Sequence, residues 1–312
     1  MSSSLRVIFF GTPAIGAHVL RFLWENGVNI VGVVSRPDRP QGRHRHLQPT
    51  PVKIEALSLS PHLPIYQPEQ VSSSESVGFL AGLQPDLFVV VAFGEIVKQN
   101  LLDLPVRGCI NLHTSLLPRY RGAAPIQRCL MAGDTESGVT IMQMVRKMDA
   151  GQMYEQVSIP ISLDMTFGDL EEQLTLIGQE ALLRVIEKIS QGTLAGLTQD
   201  EAFVTFAPKV ELEECEIDWN RSARELHNLI RGANPHPGAW CYARMRGEKK
   251  RVKIHRSQEI VLKGLPGSQP DPDRLWIACG SNGLELLELQ NEEKNRVSGT
   301  EWLRGQSHCS FI

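Results

Sequence analysis

Along the first half of the chain, short unbroken apolar runs alternate with longer segments in which apolar positions return every three or four residues. The runs are Leu5–Phe10, Ile30–Val34, Leu87–Ala92 and Cys109–His113, each rich in β-branched or aromatic residues and each ending at Gly, Pro, Ser or another loop signal. Unbroken apolarity suits strands covered on both faces, so the four read as a buried parallel sheet. Between the first two runs, Ala14–Asn26 carries Ile15, Val19, Leu20, Phe22 and Leu23 near helical spacing, and Gly27 stands as a stop. This is a first β-α-β unit. Val139–Val145 is a further strand, and Phe167–Ser190 places Leu170, Leu174, Ile177, Ala181, Val185 and Ile189 on one face of a long helix that closes the N-terminal domain.

The periodicity then fades over Thr198–Glu216, where the acidic run Glu211–Glu216 is unsuited to a core. A second domain begins at Ile217 with a helix over Ser222–Arg231, stopped by Asn234-Pro235-His236-Pro237-Gly238. Ala239–Met245, Arg251–His255, Leu275–Ala278 and Leu284–Leu289 follow as short strands separated by turns, which predicts a small β-barrel; Pro266–Pro272 reads as a surface loop. The expected architecture is α/β: a Rossmann-like parallel-sheet domain over 1–197, a linker over 198–216 and the barrel domain over 217–312.

Length agrees with this division, because 312 residues and 34.8 kDa allow two domains with ample cores. Charge narrows the partners. With 32 Lys+Arg against 35 Asp+Glu the net charge is -3, so any contact with nucleic acid has to come from local basic clusters. Six cysteines occur without a C-x-x-C pair, which indicates neither a zinc ribbon nor a disulfide framework, and reduced thiols in the cytoplasm are expected. Gly11-Thr12-Pro13 interrupts the first apolar run, leaving no signal-peptide core, and Leu87–Phe93 is too short to span a bilayer.

Three places could carry chemistry. Gly11-Thr12-Pro13-Ala14-Ile15-Gly16 joins a strand to a helix where dinucleotide folds bind phosphate, but it fits neither G-x-G-x-x-G nor a P-loop. A tight turn with Pro13 at the first helical position is the expectation there. Asn111 and His113 alternate at a strand end, so both side chains leave on one side, where open α/β sheets place their ligands. An amide donor beside an imidazole suits reaction at a carbonyl: the amide donates to a developing oxyanion and the imidazole transfers a proton. Asp149, in the turn Lys147-Met148-Asp149-Ala150-Gly151, is the candidate carboxylate that orients the His and favours its protonated form.

The run Ser115-Leu116-Leu117-Pro118-Arg119-Tyr120-Arg121-Gly122-Ala123-Ala124-Pro125-Ile126-Gln127 resembles the formyltransferase family signature. The resemblance extends along nearly the whole chain. It takes in Phe10-Gly11-Thr12-Pro13, Arg36-Pro37-Asp38-Arg39-Pro40 with Gly42-Arg43, Asp86 to Gly94, Asn111-x-His113, Asp149-x-Gly151 and Ile217-Asp218-Trp219 leading to Asn234-Pro235-x-Pro237-Gly238-Ala239. It implies transfer of a formyl group from N10-formyltetrahydrofolate to the α-amino group of methionine on initiator tRNA, without a metal. Asn111, His113 and Asp149 fall on the family's catalytic positions. Ser115, Leu116, Leu117 and Pro118, with Val91, Phe93 and Gly94, fall beside the folate.

The second substrate is expected on two basic segments. Arg36–Lys53 brings Arg36, Arg39, Arg43, Arg45 and Lys53 together with His44 and His46 on a Pro/Gly-rich loop, and the resemblance puts Arg43 at the key arginine position of an insertion entering beside the acceptor stem. His44-x-His46 as a metal pair lacks a third ligand and is set aside. Where relatives have two lysines after that arginine, this chain has His44-Arg45-His46. The other segment, Arg244–Arg256, holds Arg244, Arg246, Lys249, Lys250, Arg251, Lys253 and His255 against Glu248 alone; the family's C-terminal domain is an OB-like barrel on the tRNA, and Lys209 is the lysine left in the connector. The resemblance thus implies a cytoplasmic, monomeric enzyme of translation initiation with tRNA and folate as partners and no membrane attachment. The alternative is a small-molecule or sugar-nucleotide N-formyltransferase, or a formyltetrahydrofolate hydrolase, on the same fold. A noncatalytic RNA-binding protein has no use for the trio, and a nicotinamide-dependent dehydrogenase lacks its glycine fingerprint.

Overall fold

The computed structural model describes residues 5–41, 46–245, 248–304 and 309–312. The four apolar runs become β1 (Val7–Gly11), β2 (Ile30–Val34), β6 (Leu87–Val91) and β7 (Cys109–His113), all in one sheet. Between them come the antiparallel pair β3 (Arg39–Gln41) and β4 (His46–Gln48) and the short strand β5 (Ile65–Tyr66); β8 (Glu136–Gln143) and β9 (Met153–Pro160) follow. The main sheet has seven strands in the order β5-β2-β1-β6-β7-β8-β9, parallel from β5 to β7 and antiparallel between β7 and β8.

That order fixes where a ligand can sit. The chain leaves β1 toward β2 on one side and returns to β6 on the other, so the carboxyl ends of β1 and β6 flank the switch point of the sheet, where such folds open a crevice. The strands are buried on both faces, as their composition demands: Ile8, Phe10 and Phe88 on one face and Phe9, Leu87 and Val89 on the other are inaccessible, and Phe10 and Phe88 pack with ring centres 4.8 Å apart.

The α-helices among the described residues are α1 (Ala14–Glu25), α2 (Pro51–Leu59), α3 (Ser74–Gly82), α4 (Gln99–Leu102), α5 (Pro125–Ala132), α6 (Phe167–Gln191), α7 (Ala223–Ala233) and α8 (Gly299–Arg304). Gly27, in the left-handed region at φ 78°, ends α1 as expected. Pro13 differs from expectation. It stands at the N-cap rather than at the first helical position, where its ring offers no side-chain cap, and the Thr12 hydroxyl before it donates to the Phe93 carbonyl at 2.8 Å. The strand expected over Val139–Val145 lies earlier, at Glu136–Gln143; its pairing runs from His113↔Thr140 to Ile110↔Gln143 and so stops near the start of β7.

The chain forms two compact units. One comprises Met1–Gly122, Gly138–Ile159 and Glu171–Phe206, and the other Ala123–Ser137, Pro160–Leu170 and Ala207–Ile312. The second unit holds an antiparallel half-barrel sheet of β10 (Ala239–Met245), β11 (Glu248–Ile260), β12 (Trp276–Ala278), β13 (Gly283–Asn291), β14 (Val297–Ser298) and β15 (Cys309–Phe311). Strands β11 and β13 are longer than the apolar runs suggested, since polar residues alternate outward along β11 while Val252, Ile254 and Ser257 turn inward; β10 matches its run and β12 is one residue shorter. Helix α7 of this unit begins with a capping box, Ser222 and Glu225 each satisfying the other's backbone N–H. No helix among the described residues is long and apolar enough to cross a membrane.

Candidate functional site

Strand β7 sends Asn111 and His113 to the same side. Asn111 is half-buried beside Val90 of β6, and among the described residues its amide has no hydrogen-bonding partner. The His113 side chain is 6% exposed. Its Nε2 lies 2.9 Å from the Tyr120 carbonyl, and its Nδ1 lies 3.8 Å from Oδ2 of Asp149, whose side chain is 15% exposed. The expected trio therefore shows one close pair, His113 and Asp149, with Asn111 two residues away on the same strand face.

Backbone groups of the loop after β7 hold that pair. Tyr120 adopts φ 61°, and its carbonyl accepts from the imidazole, while the Gly122 N–H donates to Asp149 Oδ2 at 2.8 Å. Asp149 is itself in the left-handed region at φ 49°, a conformation that Asp tolerates better than most residues. Gly151 completes the turn because a Cβ there would collide with the Gln143 carbonyl.

The segment Ser115–Pro118 is pinned from beneath by two side chains that sequence reasoning missed. Thr140 donates to the Ser115 carbonyl at 2.7 Å and accepts from the Leu117 N–H at 3.1 Å; Gln156 donates to the Leu117 carbonyl at 2.8 Å and to Thr140 Oγ1 at 2.9 Å. The Ser115 hydroxyl donates to the Arg119 carbonyl, and Leu117 is buried, which leaves the half-buried Leu116 and Pro118 facing outward enough to meet a ligand. At the end of β6, Val91 is buried, and Phe93 is a core residue packed edge-on against Phe10 at 5.5 Å. Gly94 follows at φ 83°, with open space where a side chain would stand.

The basic residues are spread over both units. In the first, Arg36 pairs with Glu95, Arg39 with Glu69 at 2.7 Å, and Lys53 with Asp38 at 2.6 Å. The Lys53 hydrogen bond leads the effects that hold the Asp38 carboxyl below its ordinary range. In the second unit, exposed Lys209 is 3.4 Å from Glu211, Lys250 pairs with Glu248 at 2.7 Å, Lys249 lies 3.8 Å above the Tyr242 ring and Arg251 lies 4.1 Å above Trp240. Arg43, Arg45, Arg246, Gly42 and His44 lie outside the described residues.

Two further side chains complete the site's surroundings. Arg121, 1% exposed, donates through Nε and Nη2 to Gln199 Oε1 at 3.0 and 2.8 Å, and through Nη2 to Glu201 at 2.9 Å. Gln199 donates in turn to the carbonyls of Asp149 and Gly151 at 2.8 and 2.9 Å. Arg121 sits inside the signature run. Gln199 carried no signal, because it falls in a connector without periodicity.

Residues 5–186 match the family model described as Formyl transferase, and residues 209–307 match Formyl transferase, C-terminal domain. The chain is 53% identical over 306 residues to a methionyl-tRNA formyltransferase of Protochlamydia amoebophila, covering 97% of this chain and 96% of the relative. It is 44% identical over 292 residues to the methionyl-tRNA formyltransferase of Stutzerimonas stutzeri, with 93% and 91% covered. Among solved structures, HypX from Aquifex aeolicus in complex with tetrahydrofolic acid superposes with a TM-score of 0.66 at 16% identity; the match covers 96% of this chain and 47% of HypX, and shows likeness of fold.

Proposed function

Because the chain belongs to the formyl transferase family, we infer that it performs the reaction for which its curated relatives are named, formylation of methionyl-tRNA. The observation that carries this reading is 53% identity over nearly the full length of both chains. The donor is a folate carrying a one-carbon group, read here as N10-formyltetrahydrofolate, and the acceptor is the α-amino group of methionine on initiator tRNA.

The chemistry follows from the trio. The neutral amine attacks the formyl carbon to give a tetrahedral oxyanion; collapse breaks the bond to N10, which takes up a proton as the amine nitrogen loses one, leaving formylmethionyl-tRNA and tetrahydrofolate. Asn111, with its amide uncommitted, donates to the oxyanion. His113 shares that charge and exchanges a proton through Nδ1, and Asp149 faces Nδ1 and stabilises positive charge on the ring. The pterin is read as lying along Val91, Phe93 and Gly94, through backbone groups at the first two, and beside Ser115, Leu116, Leu117 and Pro118, with Leu116 and Pro118 in contact. Open space over Gly94 and the switch-point position of β6 support that placement. Arg36, Arg39, Arg43 and Arg45 of one segment, and Lys209, Arg246, Lys249 and Lys250 of the others, are read as the tRNA surface; Arg251, stacked over Trp240, is read as supporting that surface without a phosphate contact of its own. The working form is a cytoplasmic monomer.

The test is a formyl-transfer assay with N10-formyltetrahydrofolate that offers charged initiator tRNA, charged elongator tRNA and free methionine in parallel, with H113A as control. Product on initiator tRNA alone, lost in H113A, is expected. Product on a small amine with none on tRNA overturns the reading in favour of a small-molecule formyltransferase.

A further inference from the structure

We propose that Gln199, anchored by Arg121, is a positioning residue that holds Asp149 opposite His113; this rests on the reading of Asp149 as a member of the catalytic trio. The turn that carries Asp149 lies beyond the end of β8 and closes on itself through one long backbone hydrogen bond, from the Ala150 N–H to the Lys147 carbonyl at 3.3 Å, with Asp149 at positive φ. Gln199 adds a constraint from outside the turn. Both protons of its amide go to carbonyls of that one turn, Asp149 at 2.8 Å and Gly151 at 2.9 Å, so the side chain staples the turn on both sides of Ala150.

The direction of the amide is set by chemistry. Arg121 can only donate, so Gln199 Oε1 must face the guanidinium and the NH2 group must face the two carbonyls. Arg121 in turn lies between the two residues whose backbone groups hold the reacting pair: the Tyr120 carbonyl takes His113, and the Gly122 N–H takes Asp149 Oδ2. Beyond the Gly122–Asp149 hydrogen bond, the loop over 120–122 and the turn over 147–151 are thereby joined through one buried side-chain bridge. Glu201 adds a second, exposed bridge between them, accepting from Arg121 at 2.9 Å and from Lys147 at 2.8 Å.

The arrangement is an expensive way to gain stability. Among the described residues Arg121 is fully buried, its Nη1 has no hydrogen-bonding partner, and its charge is met by a neutral amide and by the exposed carboxylate of Glu201. A buried cation paired from one side only is weak as a stabilising device, and its geometric consequence is what the active site uses. A displacement of about 1 Å in a reacting group can lower a rate about a hundredfold. Gln199 is 6% exposed and directs every bond it makes at protein, so its loss acts on turnover and not on substrate binding.

The test compares Q199M, which keeps the volume and removes the hydrogen bonds, with Q199E, which keeps the acceptor for Arg121 but sets a carboxylate against two carbonyls. Both are measured alone and combined with D149N, in the formyl-transfer assay with tRNA. We expect kcat to fall about tenfold or more in each Gln199 variant, KM for either substrate to stay within about twofold, and the double variants to be no slower than D149N alone, because a positioning residue has nothing left to position. Parental kcat in both Gln199 variants beside a slow D149N overturns the proposal alone. Multiplicative losses in the double variants, or failure of both Gln199 variants to reach the parental near-ultraviolet circular dichroism, assign Gln199 a structural role and overturn it too. Parental turnover in D149N overturns the reading of the carboxylate, and the proposal with it.

Discussion

The Nε2–H of His113 donates to the backbone carbonyl of Tyr120 at 2.9 Å, which leaves Nδ1 as the ring nitrogen that faces Asp149. A carbonyl can only accept, so the tautomer is fixed by the partner. On the mechanism proposed above, the proton exchanged is therefore the one at Nδ1, and the positive charge it creates would stand 3.8 Å from a carboxylate oxygen.

Replacing His113 by Gln tests this directly. Gln retains a donor for the Tyr120 carbonyl and loses the exchangeable nitrogen, so kcat is expected to fall by about 10²–10⁴, the usual share of a general acid–base group. KM for both substrates should change little. Turnover within about threefold of the parent removes His113 from the chemistry.

Gly151 and Gly78 make a paired prediction about backbone space. A Cβ at Gly151 meets the Gln143 carbonyl, which cannot move without breaking the β8 edge, so G151A must shift the turn carrying Asp149. A stability loss of about 1–3 kcal/mol and a separate fall in kcat are expected. At Gly78, inside α3, nothing lies within 4 Å of the added atom, and G78A should raise stability by about 0.5–1 kcal/mol at parental turnover. Thermal melts and rates on the two proteins settle it; a slow G78A or an unchanged G151A breaks the argument.

The parts of the fold written in local pattern were legible. Ile30–Val34, Cys109–His113 and Ala239–Met245 form strands at the residues expected, because each apolar run is bounded by loop residues and lies in the interior of its sheet. Shorter elements escaped notice. Helices α2 and α3 start at Thr50 and Ser73 through side-chain caps, and each buries few residues, so they show no periodicity to read. In the site, the resemblance named Asn111, His113 and Asp149, but Thr140, Gln156 and Gln199 act through contacts between residues far apart in sequence, 16 to 78 positions away. Such contacts exist only once the chain is folded.

Glu155 gives the chain a pH-dependent brace. Burial pushes its carboxyl up, but hydrogen bonds from Lys188 and Arg184, at 2.8 and 2.7 Å, outweigh burial and hold it below its ordinary 4.5. A depressed folded value means that the stabilisation is fully present above 4.5 and disappears as pH falls through the folded value. Both cations are about half-exposed, so the effect is on the order of 1 kcal/mol or less. E155Q should melt below the parent at neutral pH, and the two melting curves should converge as the solution is acidified below 4.5. A gap that persists to about pH 3 assigns the loss to packing instead.

The basic face of β11 divides by how each cation is held, and this predicts different behaviour from neighbouring residues. Arg251 is half-buried over Trp240, with Nε and Nη2 enclosed and without hydrogen-bonding partners among the described residues, so its guanidinium is committed to the sheet. Lys249 and Lys250 are exposed, one resting on Tyr242 and the other paired with Glu248, and each can exchange its partner for a phosphate at small cost. If these lysines contact tRNA, K249A and K250A should each weaken binding and reduce the slope of log affinity against log salt by about 0.7–0.9, the counterion release of one phosphate contact. R251A should instead leave that slope near the parental value and lower the melting temperature, having lost a cation–π contact worth about 0.5–1 kcal/mol. Filter binding with charged initiator tRNA across a salt series separates the cases. Parental slopes in both lysine variants would take this strand off the RNA surface and leave tRNA recognition to the Arg36–Lys53 segment.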